Sequence, residues 1–211
     1  MPAATEAASI HRVLKGATRP LHERLDAELG LLEPGLTIDR YGRVLRAFHG
    51  FYAPIEAGLV RLAAAAAPLG FPLRARAELI ERDLRALGWS RREIDELPRC
   101  SELPRLACSE DLAGCLYVLE GACLGGQVIA RALRRRFGLA GISFFTGDAE
   151  ATAARWIVVL GWLERVVRDG ARSDEIVATA RATFQTLARW LQQQGASQRT
   201  EGGDRGRSHR L

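Results

Sequence analysis

The spacing of apolar residues is the feature that most constrains how this chain of 211 residues can fold. Apolar residues recur every three or four positions along almost the whole sequence, as one face of an α-helix requires. No stretch shows the strict alternation that is typical of a half-buried strand. The sequence therefore predicts an all-α, single-domain fold, with helices at residues 9–29, 37–66, 73–87, 91–97, 109–137, 149–169 and 173–194.

Glycine and proline clusters separate the predicted helices. They lie at residues 33–35, 68–72, 88, 98–104 and 138–147. Ser109 and Ser173 precede acidic residues and predict helix starts. Pro20 falls inside the first helix, where it removes a backbone hydrogen bond, and we expect a kink there. From residue 195 onward the chain is polar and glycine-rich, which predicts a helical domain over residues 1–194 and a disordered tail over residues 195–211.

Sequence composition indicates the cellular compartment of the protein. Residues 1–9 lack the charged and apolar regions of a secretory signal, and apolar stretches such as residues 156–163 fall well short of the ~20 residues of a membrane span. The cysteines have no Cys-x-x-Cys spacing and no neighbouring histidine, so reduced, mostly buried thiols are expected at Cys100, Cys108, Cys115 and Cys123. These features predict a cytoplasmic protein that does not act in a membrane.

The net charge of +5 raises the question of nucleic-acid binding. The positive charge is mostly arginine spread among acidic residues, and no aromatic residues interleave with the basic run Arg134–Arg136. A cationic last turn also complements the carboxyl end of a helix. We therefore expect no nucleic-acid partner. A mildly basic surface favours an acidic electron-donor protein or an anionic ligand.

A polar stripe marks the first predicted helix. Lys15, Thr18, His22 and Asp26 follow one another at spacings of three or four, so they lie on one line. A histidine that binds iron through one nitrogen usually donates its other N–H to a carboxylate or carbonyl, and Asp26 is one turn from His22. Lys15 and Arg19 are placed to meet anionic groups beside a metal. The ordinary alternative is a solvated or hydrogen-bonded surface histidine.

A second segment, about a hundred residues later, carries three glycines inside what reads as one helix. Gly121, Gly125 and Gly126 each cost about 1 kcal/mol relative to alanine in a helix interior. Close approach of another group to the backbone is the expected compensation. That group is either a second helix packed on this face or a flat ligand lying on exposed backbone. The residues alone leave both interpretations open.

Together the two segments resemble the proximal and distal helices of the biliverdin-producing haem oxygenases. The first reads LKGATRPLH and ends at His22, and the second reads GxxxGGQ from Gly121. Ser143-Phe-Phe145 and Phe184 follow in the expected order. The resemblance runs from about residue 10 to residue 194 and is closest to the small bacterial members that accompany bacteriophytochrome photoreceptors.

The resemblance implies a fold with haem between the two helices. His22 would be the proximal iron ligand and Asp26 its supporting carboxylate, while the backbone at Gly121 and Gly125 would form the catalytic wall that steers oxygen toward the ring. The other residues expected around the haem are Lys15 and Arg19 at the propionates, Phe184 as an aromatic wall, and Thr18, Tyr117, Gly126 and Arg155.

The implied reaction converts haem, O2 and electrons to biliverdin, carbon monoxide and ferrous iron. Haem would be substrate and oxygen-activating cofactor at once, while the protein supplies orientation and hydrogen bonds. An external electron donor, such as a ferredoxin or a flavin reductase, is implied, and a bacteriophytochrome is a further possible partner that would take up the biliverdin.

One departure from the family pattern keeps alternatives open. Mammalian members carry an aspartate directly after the first distal glycine, and this chain has Ala122. Either a water chain or another side chain replaces the carboxylate, or the protein is a non-catalytic haem carrier or sensor. A third hypothesis is a helical bundle of another kind whose glycines only pack helices. His11 and His49 are expected to be surface or packed residues, and Glu120 to point away from the ring.

Overall fold

A computed structural model describes residues 9–65, 69–138, 142–146 and 149–197. These residues form nine helices and no strand, which confirms the predicted all-α fold. The helices are α1 (Ile10–Leu29), α2 (Ile38–Ala65), α3 (Arg76–Ala86), α4 (Arg91–Asp95), α5 (Ser109–Gly121), α6 (Gly126–Phe137), α7 (Ser143–Thr146), α8 (Ala149–Arg168) and α9 (Ser173–Gln193).

The prediction of one helix over residues 109–137 was wrong at its centre. A turn at Ala122–Gly125 separates α5 from α6. At this turn the backbone bonds change spacing, because Cys123 donates to the carbonyl of Glu120 and Leu124 to that of Gly121, each only three residues back. A second difference is α7, a single helical turn at Ser143–Thr146 inside a stretch that was predicted to be a breaker.

The first helix is continuous through Pro20, which lies on its exposed side. The helix ends at Gly30, whose φ of 53° places it in the left-handed region and whose N–H donates to the carbonyl of Asp26 at 3.0 Å. Glycine adopts this conformation without the strain that a Cβ would bring. The end of α1, two turns after His22, therefore has a fixed position.

The closest packing of helices is between α5 and α9. A Cβ on Gly114 would lie 2.5 Å from the carbonyl oxygen of Ile176 and 2.8 Å from the nitrogen of Ala180. Two hydrogen bonds flank this contact: Thr179 donates to Asp111 at 3.1 Å, and the thiol of Cys115 bonds Thr183 at 3.2 Å. The close approach at Gly114 was not predicted from the sequence, because it depends on a contact between helices that are remote in the chain.

Three further predictions can be compared with the structure. The stretch Ser109–Phe137 is long and apolar enough to span a membrane by composition, contrary to expectation, but 61% of its most apolar window is buried, as in a core helix. All four cysteines are free and three are buried, so the expected burial is confirmed. At the predicted tail, Ala196 is buried against the fold, whereas residues 198–211 lie outside the described residues.

His49 is a packed histidine, as the sequence favoured. Its ring is fully buried in α2, where Nδ1 accepts a hydrogen bond from Arg99 at 2.5 Å and Nε2 donates to Glu81 at 3.1 Å. Burial lowers the pKa of His49, and the bond to Glu81 only partly opposes this. A protonated ring would place a second cation against Arg99. The folded protein therefore holds this imidazole in its neutral form.

We predict that His49 makes the fold less stable in mild acid. Because its folded pKa is depressed, its contribution is present above the unfolded pKa of about 6.5 and is lost as pH falls toward the folded value. In His49→Gln, whose amide can accept from Arg99 and donate to Glu81, the free energy of unfolding should fall less steeply below pH 6.5. The difference is limited to one proton, about 1.4 kcal/mol per pH unit.

Urea unfolding at a series of pH values measures this difference. Comparing the two proteins cancels the contributions of Glu56 and Asp83, whose pKa values are also shifted by burial. Parallel stability curves for wild type and variant between pH 7 and pH 5 would contradict the assignment.

Candidate functional site

A cleft opens between α1 and the turn that joins α5 to α6. It consists of two adjoining cavities of about 500 and 430 Å³, which are called here the outer and the inner cavity. Each is within the range of typical cofactor pockets, about 300–1,000 Å³. The residues that line both are His22, Val118, Ala122, Gly125 and Phe184.

His22 lies where the two cavities meet. Its Nδ1 is 3.0 Å from a carboxylate oxygen of Asp26, and its ring stands edge-on to Phe184 with the ring centres 5.8 Å apart. The hydrogen bond to Asp26 raises the pKa of His22, although partial burial opposes the shift. Because Nδ1 is engaged by the carboxylate, Nε2 is the nitrogen left to bind a metal.

The rest of the polar stripe lines the outer cavity. Lys15 and Thr18 face it, as does Arg19, which makes a loose and exposed pair with Glu23 at 3.8 Å. The buried hydroxyl of Thr18 donates to the carbonyl of Leu14 at 2.8 Å. Tyr117, across the cleft, also bonds Thr18, which opposes the rise in its pKa that burial causes. The outer cavity therefore has a cationic edge on α1.

Opposite α1, the backbone of the turn forms the roof. A Cβ added to Gly125 would meet nothing within 4 Å, and one added to Gly121 would only touch the ring of Trp156 at 3.4 Å. Both glycines line the cleft. Gly126 differs, because its Cβ would lie 2.5 Å from the carbonyl oxygen of Phe145. Gly126 lines neither cavity and packs against α7, while its predicted place beside the ligand stays a prediction.

Arg155, another residue predicted beside the haem, is paired behind the roof in this structure. It lies outside both cavity linings and forms a two-pronged ion pair with Glu120, with distances of 2.7 and 2.5 Å, while its guanidinium stands over the ring of Phe71. This pair joins α8 to α5 behind the roof. Glu120 thus points away from the cleft, in agreement with the sequence prediction. The α8 residue that does face the cleft is Trp156.

Other residues of the lining were not predicted from the sequence. His11 was expected to be a surface or packed residue, yet it lines the outer cavity, 5.9 Å from the ring of Trp156 and 6.4 Å from that of Tyr117. Its spacing of four residues from Lys15 extends the stripe backward and was the available signal. Phe48 and Tyr52 are buried and also form the wall of the inner cavity.

Comparisons with known proteins agree on one family. The family model described as Heme oxygenase matches residues 8–193. A heme oxygenase of Xanthomonas campestris pv. campestris (strain 8004) is 34% identical over 147 residues, which is 69% of this chain and 85% of that protein.

Solved structures share the fold. The NO- and CO-bound heme oxygenase from Neisseria meningitidis superposes with a TM-score of 0.71 at 18% identity, over 89% of this chain and 92% of that one. Heme oxygenase from Leptospira interrogans gives a TM-score of 0.67 at 21% identity, over 89% and 98%.

We predict that Asp26 controls the titration of His22. The pKa of His22 in the ligand-free protein should lie above the ordinary 6.5 and should fall in Asp26→Asn, which loses the charge and the strong acceptor. Because a metal needs the neutral imidazole, this raised pKa makes protons compete with a metal at higher pH. NMR titration of the ring protons measures the shift, with Glu23→Gln as the control, since Glu23 acts only through its charge. If the titration midpoint of His22 is unchanged in Asp26→Asn, the hydrogen bond between His22 and Asp26 does not form in solution.

We further predict that neighbouring glycines separate binding from folding. Gly125→Leu should fold normally, since its φ of −77° suits any residue and its Cβ meets open space, but should bind haem at least about tenfold more weakly because it fills the cleft. Gly126→Ala should instead lower the free energy of unfolding by about 1–3 kcal/mol through overpacking. Haem titration and urea unfolding distinguish the two. A Gly125→Leu protein with wild-type affinity for haem would refute this description of the cleft.

Proposed function

This chain belongs to the haem oxygenase family, whose members degrade haem, and we propose on that premise that it converts haem, O2 and electrons to biliverdin, carbon monoxide and ferrous iron. The observation that carries the proposal is the arrangement across the cleft. A histidine held by a carboxylate faces a roof of bare glycine backbone, and both line the same cavities. A flat, metal-bearing ring would use both features, the histidine for its metal and the bare backbone for its face.

The residues of the cleft fit haem in three respects. Nε2 of His22 would bind the iron, and the Asp26 carboxylate would fix the orientation of the imidazole and increase its basicity. The inner cavity offers aromatic and aliphatic walls, including Phe48, Phe144 and Leu187, to the apolar part of the ring. Lys15 and Arg19 at the outer cavity would meet the two carboxylates at its edge.

Haem, when bound, is both the substrate and the group that activates oxygen. The contribution of the chain is orientation. Gly121 and Gly125 present backbone instead of side chains, so the roof can come within contact distance of a flat ring. Lys15 and Arg19 at the cationic edge would bind the carboxylates of the ring and so orient it in the cleft.

The roof has no acidic side chain to move a proton. Among the described residues that line the two cavities, the acids are Glu23, Asp26 and Glu33, which belong to α1 and the turn after it. Ala122 occupies the roof position next to Gly121, and the nearby Glu120 is bound to Arg155. We infer that water held by backbone carbonyls of the turn carries the protons that the reaction consumes.

The lack of a roof carboxylate is also the specific observation that favours a second candidate. A non-catalytic haem carrier or sensor of the same fold would need His22 and the apolar walls but no source of protons. It would bind haem and leave the ring intact.

As partners we propose an external electron donor, either a ferredoxin or a flavin reductase, and a bacteriophytochrome that takes up the product. The positive net charge of the chain supports an acidic electron donor. The resemblance to the small bacterial haem oxygenases, with the expected cytoplasmic location, supports the bacteriophytochrome.

A turnover experiment tests the function. The purified protein is loaded with one equivalent of haem, and a reductant and catalase are added in air. We predict that the Soret band disappears while a broad red biliverdin band grows. His22→Ala should lose the haem spectrum of the ligated protein, whereas Arg12→Ala, a change at an exposed α1 residue outside both cavity linings, should turn over like wild type.

The alternatives give different results. A stable haem spectrum that depends on His22 identifies the carrier. A protein without any haem spectrum would rule out both haem functions.

A further inference from the structure

Arg76, the first residue of α3, is a buried cation whose backbone N–H donates to the carboxylate of Glu56 at 2.9 Å. The residue is 7% exposed, and within the described part of the chain its guanidinium forms no ion pair. Nη1 donates to the thiol sulfur of Cys123 at 2.7 Å and Nη2 donates to the carbonyl oxygen of Phe144 at 2.7 Å. The guanidinium also stands 4.3 Å over the ring of Phe144, while Nε has no hydrogen-bond partner among the described residues.

Such a group is costly to bury. An uncompensated charge loses its hydration, and an apolar side chain of the same volume usually stabilises a core better. The arrangement is therefore not explained by stability alone. Its distinctive result is a connection between three elements that are remote in sequence: the start of α3, the turn at Ala122–Gly125, and α7.

The turn depends on this connection because it has little else to hold it. Cys123 is buried, whereas Ala122, Leu124 and Gly125 are exposed. The backbone bonds donated by Cys123 and Leu124 span three residues instead of four, a geometry poorer than that of the α-helix. The thiol of Cys123 accepts from Arg76 and donates to the carbonyl of Leu119 at 3.4 Å, and it also bonds the side chain of Arg74. Cys123 is therefore the side-chain anchor of the roof.

We propose that Cys123, held by Arg76, is a positioning residue that fixes the roof of the cleft above the substrate ring. The proposal rests on the proposed function. Ala122 and Gly125 lie on either side in the turn, one and two residues from the anchor, and both line the outer and the inner cavity. A roof that moves changes the space above His22, and with it the direction in which bound oxygen meets the ring. Neither Cys123 nor Arg76 lines the two cavities, so both would act only through the position of the turn.

Two measurements on Cys123→Val and Arg76→Met test the proposal. The first is hydrogen exchange of the turn amides in the haem-free protein, which should speed up by about tenfold or more once the anchor is gone. The second is the isomer composition of the product. We expect one predominant biliverdin isomer from wild type and a clear second isomer from both variants. Cys123→Ser, whose hydroxyl can accept and donate as the thiol does, should remain close to wild type in both.

The matched control is Cys115→Val. It removes a different buried thiol, which lies within α5 and bonds Thr183 away from the turn. It should cost stability without changing exchange at the turn or the isomer composition. The proposal is overturned if Cys123→Val behaves as wild type in either measurement, or if Cys115→Val reproduces its effects. A wild-type protein that leaves haem intact overturns the proposed function and the effect on products, while the exchange data separately decide whether Cys123 anchors the turn.

Discussion

The approach of α5 to the backbone of α9 at Gly114 is the constraint from which the cleft is built. Any side chain at this position would meet the backbone of Ile176 and Ala180, so the two helices can lie this close only because glycine has no Cβ. Each helix then carries one part of the site. α5 ends two turns later at Gly121, which begins the roof, and α9 carries Phe184 one turn after Ala180, edge-on to His22. The contact between α5 and α9 at Gly114 thus positions both the roof and one wall of the cleft.

The fold was largely predictable because helical periodicity is a local property, and its failures have physical reasons. The break between α5 and α6 was missed since Ala122 and Gly125 keep right-handed helical dihedral angles, φ −59° with ψ −21° and φ −77° with ψ −12°. The side chains therefore continue to rotate about the axis almost as in a helix, while only the hydrogen bonds shorten to three-residue spacing. The periodicity of the sequence depends on the rotation of the side chains about the axis, and it does not show a change in hydrogen-bond spacing. α7 is too short to show any period.

The same distinction explains the candidate site. The stripe from Lys15 to Asp26 belongs to one uninterrupted helix, so spacing alone places its members on one face, and the contact between His22 and Asp26 follows from that spacing. Gly126 and Arg155 could not be placed in this way. Gly126 packs against the backbone of Phe145 in α7, and Arg155 is bound by Glu120, 35 residues earlier in the chain. A contact across such a separation is decided by the packing of α8 on α5, which no local pattern encodes.

The two faces of the cleft are built on opposite principles. On α1 the lining consists of side chains, namely the cations, the histidine and the carboxylates. Across from them the lining of the turn is backbone and small apolar groups, and the charged residues stand behind it: Glu120 is buried with Arg155 and lies 3.9 Å from Arg74, and Arg76 holds Cys123. Charges in that position would act on a bound ring only through the place they give the roof. A chain with Ala122 beside Gly121 would still orient a substrate from this side, because orientation there would depend on how firmly the backbone is held, and Arg76 holds the turn through Cys123 on the face away from the cleft.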